Sequence, residues 1–439
     1  MIAANIGKIF LDAYNEKYKS NYSAKQFFVE KYYKLFFNHQ KYMMSAGNSP
    51  LENPKISWDK MRTEKIPYET IEQRKGRFDK TIEKIDKGPA DASIAIGFYT
   101  LDINATTSGQ VTNLNLPVKT DDIYLSWIGS GFGIGVQSGL SLLFADKRIL
   151  LDLFEGWQLY RNYLNKTPEL RGNQINTWNG QWIAHRYDKR VFNPTNPSAQ
   201  FGGFGSMKDG GMEVVTQSWT KVMIGITRTY PDTTLTAYVY SLGKTNITVG
   251  FIPFELTAFK RPYDLWCKCF ATEAPETVDN LFGTAIGFTE ICKQGSVGIY
   301  AMEPSAFSEY FKAGKKYGEI PTYKDENEIN FNTYLIWLLA MLNNEQLWDI
   351  SLEFAQQLIN YVAGSEKARA NRKTAVEELL KSTRKEKFLE NLIQIMKEPD
   401  SEKCEEIGKE VHFMSGATEF PYFATLLRFQ YASLNKITK

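Results

Sequence analysis

The sequence predicts an α+β protein, with a mixed α/β body that contains antiparallel strands and a C-terminal α-helical bundle. Residues 92–254 contain β-branched and aromatic runs separated by turn residues, a pattern typical of strands joined by short connections. Beyond residue 329, apolar residues recur at helical spacing, and Gly364 and Pro399 interrupt them. We predict three regions: an N-terminal helical and basic segment (1–90), an α+β body with polar recognition loops (91–320) and a C-terminal helical bundle (321–439).

The N-terminal region predicts a helix over residues 24–44 with one aromatic face. Phe28, Tyr32 and Phe36 are spaced four residues apart, and lysines lie between them. We expect this face to pack onto the body while the lysines stay in solvent. A basic and aromatic surface for nucleic acid or a protein partner is the alternative.

Charge is distributed unevenly along the chain. Residues 1–90 contain 17 Lys and Arg against 11 Asp and Glu, a balance of +6. Residues 91–310 contain 17 against 20, and residues 320–439 contain 15 against 18, so each balance is −3. This distribution excludes a uniformly basic nucleic-acid binder and leaves binding through local patches.

The body contains the predicted strands and one predicted helix. The strands are predicted within residues 92–103, 111–118, 121–128, 212–230 and 234–254. Leu242, Gly243 and Lys244 predict a hairpin turn inside the last of these runs. Residues 146–164 predict a helix between the two groups of strands, and helices return near residue 262.

The glycine-rich stretch SWIGSGFGIGVQSG, residues 126–139, resembles a nucleotide-binding loop in its spacing. Gly129, Gly133 and Gly135 supply that similarity. A dinucleotide-binding loop follows the first strand of a regular βαβ domain, whereas this stretch lies in mid-chain without such alternation. We therefore expect a flexible or close-packed connection. A cofactor-dependent oxidoreductase is the least favoured hypothesis.

Other catalytic signatures are missing from the sequence. Tyr240 and Lys244 have the spacing of a dehydrogenase pair but flank a predicted turn, so they do not share a helical face. The sequence contains neither a P-loop nor a nucleophile elbow. Asp279 precedes Glu290 and Lys293, a spacing one residue too long for a metal-dependent nuclease. We predict no catalytic residue, no metal site and no cofactor.

Histidine and cysteine usage agrees with this prediction. There are three histidines, and they form no metal-binding spacing. We expect the four cysteines to be buried small apolar residues: Cys267, Cys269, Cys292 and Cys404. The N-terminus does not resemble a signal peptide, and the longest apolar run, 334–342, is too short to cross a bilayer. A soluble cytoplasmic protein is therefore expected.

Three polar loops, residues 105–115, 171–182 and 193–211, are rich in Asn, Gln and Gly. Asn and Gln present paired donors and acceptors to base edges, and Gly permits close backbone approach. The candidate nucleic-acid contacts in the body are Asn173, Gln174, Asn176, Gln181, Lys189, Arg190 and Lys208. We expect Trp178 and Trp182 to pack in the core, with base stacking as the alternative.

The bundle contains a basic ridge within residues 365–388, a stretch with eight basic and four acidic residues. The ridge consists of Arg369, Arg372, Lys373, Lys381, Arg384, Lys385 and Lys387. We predict phosphate contacts by Arg369, Arg372, Lys373, Arg384 and Lys385, which would add salt dependence rather than sequence preference. A solvated helix face is the alternative.

Three stretches of the chain resemble a known family. LLDLFEGWQLYRNYL (150–164), NQINTWNGQW (173–182) and YSLGKTNITVGFIPFEL (240–256) are similar to the large subunit of a type I CRISPR Cascade complex, of type I-B or a related subtype. The resemblance extends over the central half of the chain. Some type I-B large subunits contain CxxC pairs, which this sequence lacks.

The resemblance implies a non-catalytic subunit of an RNA-guided ribonucleoprotein complex. Such a subunit would recognise the protospacer-adjacent motif on target duplex DNA, aid duplex opening and recruit a separate helicase-nuclease. Its helical bundle would act like the small subunit that lines the non-target strand. The implied partners are guide RNA, target DNA and the other Cascade subunits, without a membrane. A DNA-processing defence enzyme, a nuclease with an unrecognised active site, is the alternative.

Overall fold

The computed structural model describes residues 2–45, 51, 60–61, 63, 65–87, 118–208, 210–231, 234–241, 248–274, 276–283, 287–311, 318–397 and 402–436. Internal contacts divide the chain into two compact units. The first is Met1–Leu256 with Cys292–Ser296, and the second is Thr257–Ile291 with Val297–Lys439. The three regions predicted from the sequence stay a prediction.

The first unit combines helices with a small sheet. Its helical segments are α1 (Ile2–Tyr18), α2 (Ala24–Phe27), a π-helical turn (Phe28–Tyr32), α3 (Tyr33–Phe36), α4 (Ile71–Lys87), α5 (Thr120–Ser130), α6 (Lys147–Lys166), α7 (Ile175–Arg186) and α8 (Trp219–Thr229). Its strands are β1 (Ile134–Val136), β2 (Leu140–Phe144), β3 (Phe204–Ser206), β4 (Met212–Val214), β5 (Thr234–Ser241) and β6 (Thr248–Glu255).

The strands pair antiparallel, as predicted. One sheet has the order β1-β2-β5-β6, and β3 pairs with β4. Tyr238 of β5 lies opposite Phe251 of β6, which confirms the strands expected within 234–254. The predicted turn at 242–244, the predicted strand at 92–103 and all but the last residue of that at 111–118 lie outside the described residues.

The segment predicted as a strand at 121–128 is helix α5, so that prediction was wrong. Its residues from Ile123 to Gly129 are all buried, and an apolar run buried on every side has no periodicity that separates helix from strand. Asp121 and Asp122 lie in its first turn, where carboxylates interact favourably with the helix dipole.

The run at 212–230 was also predicted wrongly in part. Only β4 is a strand there, and α8 occupies most of the remainder. Ser218 caps α8, with its Oγ accepting a hydrogen bond from the Lys221 backbone N–H at 3.3 Å. Val222, Met223 and Ile226 recur at helical spacing and are fully buried, so packing of this face outweighs the strand propensity of β-branched residues.

The glycine-rich stretch 126–139 is a close-packed connection from α5 into β1 and β2. Gly129 lies where α5 crosses α1, and a Cβ at that position would overlap the carbonyl oxygen of Ala3. A Cβ at Gly133 would overlap the Asn176 amide and the Tyr240 hydroxyl. These glycines therefore permit close approach of neighbouring elements.

An aromatic cluster around Trp157 of α6 forms the centre of the first unit. Ring centroids of four phenylalanines lie 4.2–6.2 Å from that of Trp157: Phe10, Phe36, Phe132 and Phe154. The aromatic face predicted within 24–44 is fully buried, which confirms its core role. Trp178 and Trp182 are also buried, at 0% and 1% exposure, as expected for core residues.

From residue 256 onward, the described part of the chain is mostly helical. Its segments are α9 (Leu256–Phe270), α10 (Glu276–Leu281), α11 (Phe288–Lys293), a 3-10 turn (Ile299–Met302), α12 (Ser308–Phe311), a second 3-10 turn (Asp325–Asn327), α13 (Glu328–Leu342), α14 (Gln346–Ala363), α15 (Arg369–Lys381), α16 (Lys385–Met396), α17 (Glu402–Phe413) and α18 (Glu419–Asn435). The predicted α+β class with C-terminal helices is confirmed.

Helix α18 is the central element of the bundle and packs against α13 and α14. The buried Arg428 guanidinium donates hydrogen bonds to the carbonyl oxygens of Leu380 (2.5 Å) and Ser382 (3.0 Å). It thereby satisfies carbonyl groups at the C-terminus of α15. No helix within the described ranges has the length and apolar character that a membrane crossing requires.

Candidate nucleic-acid interface

The stretch 171–182 was predicted as a polar loop, but it is helical from Ile175 onward, so that prediction was wrong for most of the stretch. Two of its predicted recognition amides, Gln174 and Asn176, hold α7 against neighbouring strands. The Gln174 Oε1 accepts a hydrogen bond from the backbone N–H of Val214 at 3.1 Å. The Asn176 Nδ2 donates to the carbonyl oxygen of Gly133 at 3.1 Å and to Ser141 Oγ at 3.4 Å. Both side chains therefore satisfy groups within the first unit.

The other two predicted amides differ: Gln181 has a partner within the fold, whereas the Asn173 side chain is exposed and forms no hydrogen bond to a described residue. Asn173 adopts a left-handed backbone conformation, with φ of 58°, and its N–H donates to the carbonyl oxygen of Tyr42 at 2.8 Å. The Gln181 Nε2 donates to the carbonyl oxygen of Val215 at 2.7 Å. The predicted amides thus lie close together in space, and the side chains of three of them, Gln174, Asn176 and Gln181, form hydrogen bonds that support the tertiary structure.

The three predicted cations of the body differ in their surroundings. Lys189 and Lys208 are exposed. Arg190 forms a bidentate pair with Asp188, in which Nε and Nη2 donate at 2.9 and 2.7 Å. This pairing fixes the Arg190 guanidinium beside its own turn.

A groove of about 400 Å³ lies on the surface of α6 and α7, beside the loop that follows α7. Its lining consists of Glu155, Gln158, Leu159 and Asn162 of α6, Trp182 and Arg186 of α7, and Phe192, Pro194 and Pro197 of the following loop. The polar loop at 193–211 therefore contributes two prolines to this wall. We call this feature the α6–α7 groove.

Arg186 is the fixed charge of the groove. Its Nη2 lies 2.6 Å from Asp152 Oδ1 and 3.0 Å from Glu155 Oε2. Its guanidinium carbon lies 5.4 Å from the Phe192 ring centroid and 5.9 Å from that of Trp182. Burial acts to lower the pKa of Arg186, but its hydrogen bond to Asp152 and the charges of Asp152 and Glu155 together outweigh burial and raise that pKa. The guanidinium therefore stays cationic and planar against the aromatic rings.

The Asp152 carboxylate, which binds Arg186, is itself held in place by two tyrosines. Its Oδ2 accepts hydrogen bonds from Tyr187 at 2.7 Å and from Tyr230 at 3.5 Å. Burial, followed by the charge of Asp152, raises the pKa of Tyr187 far above its usual value, so the phenol remains a donor. The carboxylate consequently holds Arg186 in one orientation.

Two amides of the groove were missed by sequence reasoning. Gln158 and Asn162 are exposed and lie four residues apart on α6, and their side-chain amides form no hydrogen bond to any residue that the structure describes. Residues at this spacing share one helix face. In the sequence, the two polar residues on either side of Leu159 were the only indication of this site. The groove exists because the loop that begins near Phe192 packs beside this face of α6.

Two residues of the predicted basic ridge serve the bundle itself. The Arg372 Nη1 donates to the carbonyl oxygen of Tyr361 at 2.9 Å, and its guanidinium carbon lies 4.6 Å from that ring centroid. The Lys385 Nζ donates to the carbonyl oxygens of His412 (3.2 Å) and Met414 (3.1 Å) near the C-terminus of α17. These cations stabilise helix ends and turns.

The other predicted cations of the ridge face solvent. Arg369 and Arg384 are exposed and form no ion pair with a described residue. Lys373 and Lys381 share Glu377, with N–O distances of 3.9 and 3.5 Å, so one carboxylate balances two ammonium groups. The exposed ridge therefore has excess positive charge.

A larger groove in the second unit suits a polyanion less well. It has a volume of about 1110 Å³ and lies between α9 and the turn before α14. Its cations already have partners, since Arg261 bonds to Asn343 and Lys268 to Glu345. Because further carboxylates such as Asp349 line the same walls, phosphate groups would be repelled there.

The described residues contain no group of three or more His, Cys, Asp or Glu side chains arranged to hold a metal ion. Burial raises the pKa of Cys292 to about 12, so its thiol stays protonated at neutral pH. Cys292 and Cys404 are buried as expected, whereas Cys267 is exposed and Cys269 is partly exposed, so the burial prediction was wrong for these two. Both lie on the amphipathic α9, whose one face meets solvent.

The chain was compared with protein-family models, with curated proteins and with solved structures. None of these comparisons finds a match.

Proposed function

We propose that this protein is a non-catalytic, nucleic-acid-binding large subunit of a type I CRISPR Cascade complex in the cytoplasm. In this role it recognises the protospacer-adjacent motif on target duplex DNA, aids duplex opening and recruits the helicase-nuclease. Guide RNA supplies sequence specificity by base pairing, while the protein contacts the motif and the backbone. The subtype, I-B or related, follows from the resemblance of residues 150–164, 173–182 and 240–256 alone.

The exposed cationic ridge carries the proposal. Arg369 and Arg384 lie in solvent without a described ion-pair partner, and Lys373 shares one carboxylate with Lys381. Over residues 365–388, eight cations against four acids give an excess of four positive charges. Such a surface binds phosphates and releases counterions, which is the sequence-independent part of nucleic-acid binding.

Co-expression tests membership of the complex. The full chain is produced together with the candidate neighbouring proteins and a guide RNA, and the lysate is fractionated by size exclusion. We expect the chain to elute with the guide RNA in one ribonucleoprotein peak and to bind duplex DNA only when a short motif is present. Elution of the chain without RNA or partner proteins contradicts the proposal.

A cleavage assay separates the proposal from its alternative, a DNA-processing nuclease. The purified chain is incubated with linear duplex and single-stranded DNA in the presence of Mg²⁺ or Mn²⁺. We expect intact DNA after prolonged incubation. Cleavage that a chelator abolishes would replace the proposal with a DNA-processing nuclease.

A further inference from the structure

We propose that the α6–α7 groove binds one unstacked nucleobase of a single-stranded nucleic acid. The inference rests on the proposed function, because it names where single-stranded nucleic acid meets this subunit. In single strands, bases are free to turn outward and enter protein pockets. The groove offers a nucleobase three complementary features: apolar walls, a planar stacking surface and unpaired amides at the edge.

The size and walls of the groove fit one planar ring system. Its volume of about 400 Å³ lies near the lower end of the range of ligand pockets. Leu159, Phe192, Pro194 and Pro197 supply apolar surface on which the face of a ring can pack. A helix or a duplex does not fit this volume, whereas a base with its sugar does.

Arg186 and Phe192 form the stacking surface. The guanidinium carbon lies 5.4 Å from the ring centroid, and Asp152 with Glu155 fixes the guanidinium in place. Nucleobases stack on aromatic rings and on arginine planes in single-stranded complexes. A surface that is already ordered loses little side-chain entropy when the base binds.

Gln158 and Asn162 face the edge of a base in the groove. Each amide has a carbonyl acceptor and two N–H donors, and none of these groups hydrogen-bonds to a described residue. Amides of this kind make paired hydrogen bonds to base edges. In contrast, Gln174, Asn176 and Gln181 have partners inside the fold and lack this capacity.

Local charge permits the approach of a phosphodiester chain. Glu155 is the one carboxylate on the groove wall, and both Arg186 and Lys17 pair with it, at 3.0 and 2.8 Å. The wall therefore has no uncompensated negative charge. The side chain of a proline-rich peptide would fill the apolar part but would leave Gln158 and Asn162 without partners, so a base fits better.

Fluorescence anisotropy of the full chain with labelled oligonucleotides tests the inference. The probes are twelve-nucleotide strands dT12, dA12 and dC12 and a strand of equal length with abasic sites. We expect dT12 to bind about tenfold more tightly than the abasic strand at equal salt, because stacking of one base in the groove supplies that difference. Phe192→Ala should remove this difference while the binding of the abasic strand stays unchanged.

A second variant, on α6, tests the groove without altering the loop that contains Phe192. Gln158→Ala with Asn162→Ala truncates two exposed amides, and we expect it to change the order of affinities among dT12, dA12 and dC12. Gln394→Ala, an exposed amide of α16 outside the groove, is the matched control and should leave the order unchanged. In an independent readout, 4-thiothymidine in the strand should crosslink to the tryptic peptide 191–208.

The outcomes separate the two proposals. Equal binding of dT12 and the abasic strand, with affinity that still falls steeply with salt, overturns the base pocket and leaves the proposed function intact. Competition by a proline-rich peptide but not by dT12 overturns the pocket in favour of a protein ligand. Lack of binding by every oligonucleotide, together with elution apart from guide RNA, overturns both proposals.

Discussion

The polar segment 173–181 and the basic ridge 365–388 were both predicted to contact nucleic acid, and the structure places them in opposite environments. Asn176 and Gln181 donate hydrogen bonds to carbonyl oxygens of neighbouring elements, whereas Arg369 and Arg384 lie in solvent. Amides combine donors and acceptors on a short side chain, so they readily satisfy buried backbone groups. Long charged side chains avoid burial because desolvation of their charge is costly, and they collect on the surface.

The largest expected effect tests the structural role of the amide segment. The fully buried Asn179 donates to the carbonyl oxygens of Gly131 (2.7 Å) and Gly133 (2.9 Å) and accepts from Trp157 Nε1 (3.2 Å). Asn179→Ala removes the side-chain partner of the Gly131 carbonyl oxygen and of Trp157 Nε1, while the Gly133 carbonyl oxygen keeps its hydrogen bond from Asn176 Nδ2. We expect the free energy of unfolding to fall by roughly 3 kcal/mol or more. Urea denaturation followed by circular dichroism measures this change.

Gln137→Ala is the control for Asn179→Ala, because the Gln137 side chain is exposed in the same part of the fold. It should change the free energy of unfolding by no more than about 0.5 kcal/mol. Similar values for the two variants would show that the segment does not depend on its buried amides, and the contrast with the ridge would lose its basis.

The second prediction concerns Gly129, in the glycine-rich stretch 126–139 that contacts the amide segment. In Gly129→Ala, the new methyl group overlaps the Ala3 carbonyl oxygen, so α1 and α5 must separate. We expect a loss of about 2 kcal/mol in the free energy of unfolding, measured by thermal and urea denaturation. Gly76→Ala in α4 meets no atom within 4 Å and should stabilise the protein by up to about 1 kcal/mol. A neutral Gly129→Ala would exclude close packing at this crossing.

The third prediction tests the opposite role of the ridge. Arg369→Glu with Arg384→Glu should leave the free energy of unfolding within about 0.5 kcal/mol, because both side chains lie in solvent. Affinity for duplex DNA should fall about tenfold at low salt, and the slope of log K against log salt should become shallower by about 2. Binding titrations at several salt concentrations measure both quantities.

The control for the ridge is a variant with the same change in net charge, Lys324→Glu with Lys409→Glu, at exposed lysines outside residues 365–388. We expect it to reduce DNA affinity much less. Equal losses in the two variants would mean that net charge, rather than the ridge, determines binding.

The smallest expected effect is a pH dependence of stability at His39, which lies in the segment whose Tyr42 carbonyl oxygen accepts the Asn173 backbone N–H. Burial, with the Arg161 charge as a second cause, lowers the pKa of His39 from about 6.5 to about 4, while its Nε2 bonds to the Lys34 carbonyl oxygen. The unfolded chain then binds the proton first as pH falls. The free energy of unfolding should therefore drop between pH 6.5 and 4, by about 1 kcal/mol after allowance for partial exposure, and should be unaffected above pH 7.

His39→Gln keeps a side-chain donor but removes the titration. The difference in unfolding free energy between the wild type and this variant, followed from pH 8 to pH 4 by urea denaturation, isolates the contribution of His39. A difference that stays constant over this range would show that His39 has the same pKa in the folded and unfolded chain.

Much of the secondary structure was predictable from local pattern. The helix at 147–166 and the helices beyond 328 follow apolar residues at helical spacing, and the β5–β6 pair follows β-branched and aromatic runs. The prediction was wrong for α5 because that helix is buried on all sides and its sequence therefore lacks periodicity. It was wrong for most of 219–229 because strand propensity is weaker than the packing of an amphipathic face.

The sequence by itself determined the α+β class, the helical C-terminal part and the excess charge of the ridge, because these properties depend on residues near one another in the chain. Tertiary structure alone decided which amides are available to a ligand. Asn176 and Gln181 donate to backbone carbonyl groups just before β1 and just after β4, whereas Gln158 and Asn162 line an open groove together with Phe192, Pro194 and Pro197. A hydrogen-bonding group is free or occupied according to its neighbours in space, and local spacing contains no information about them.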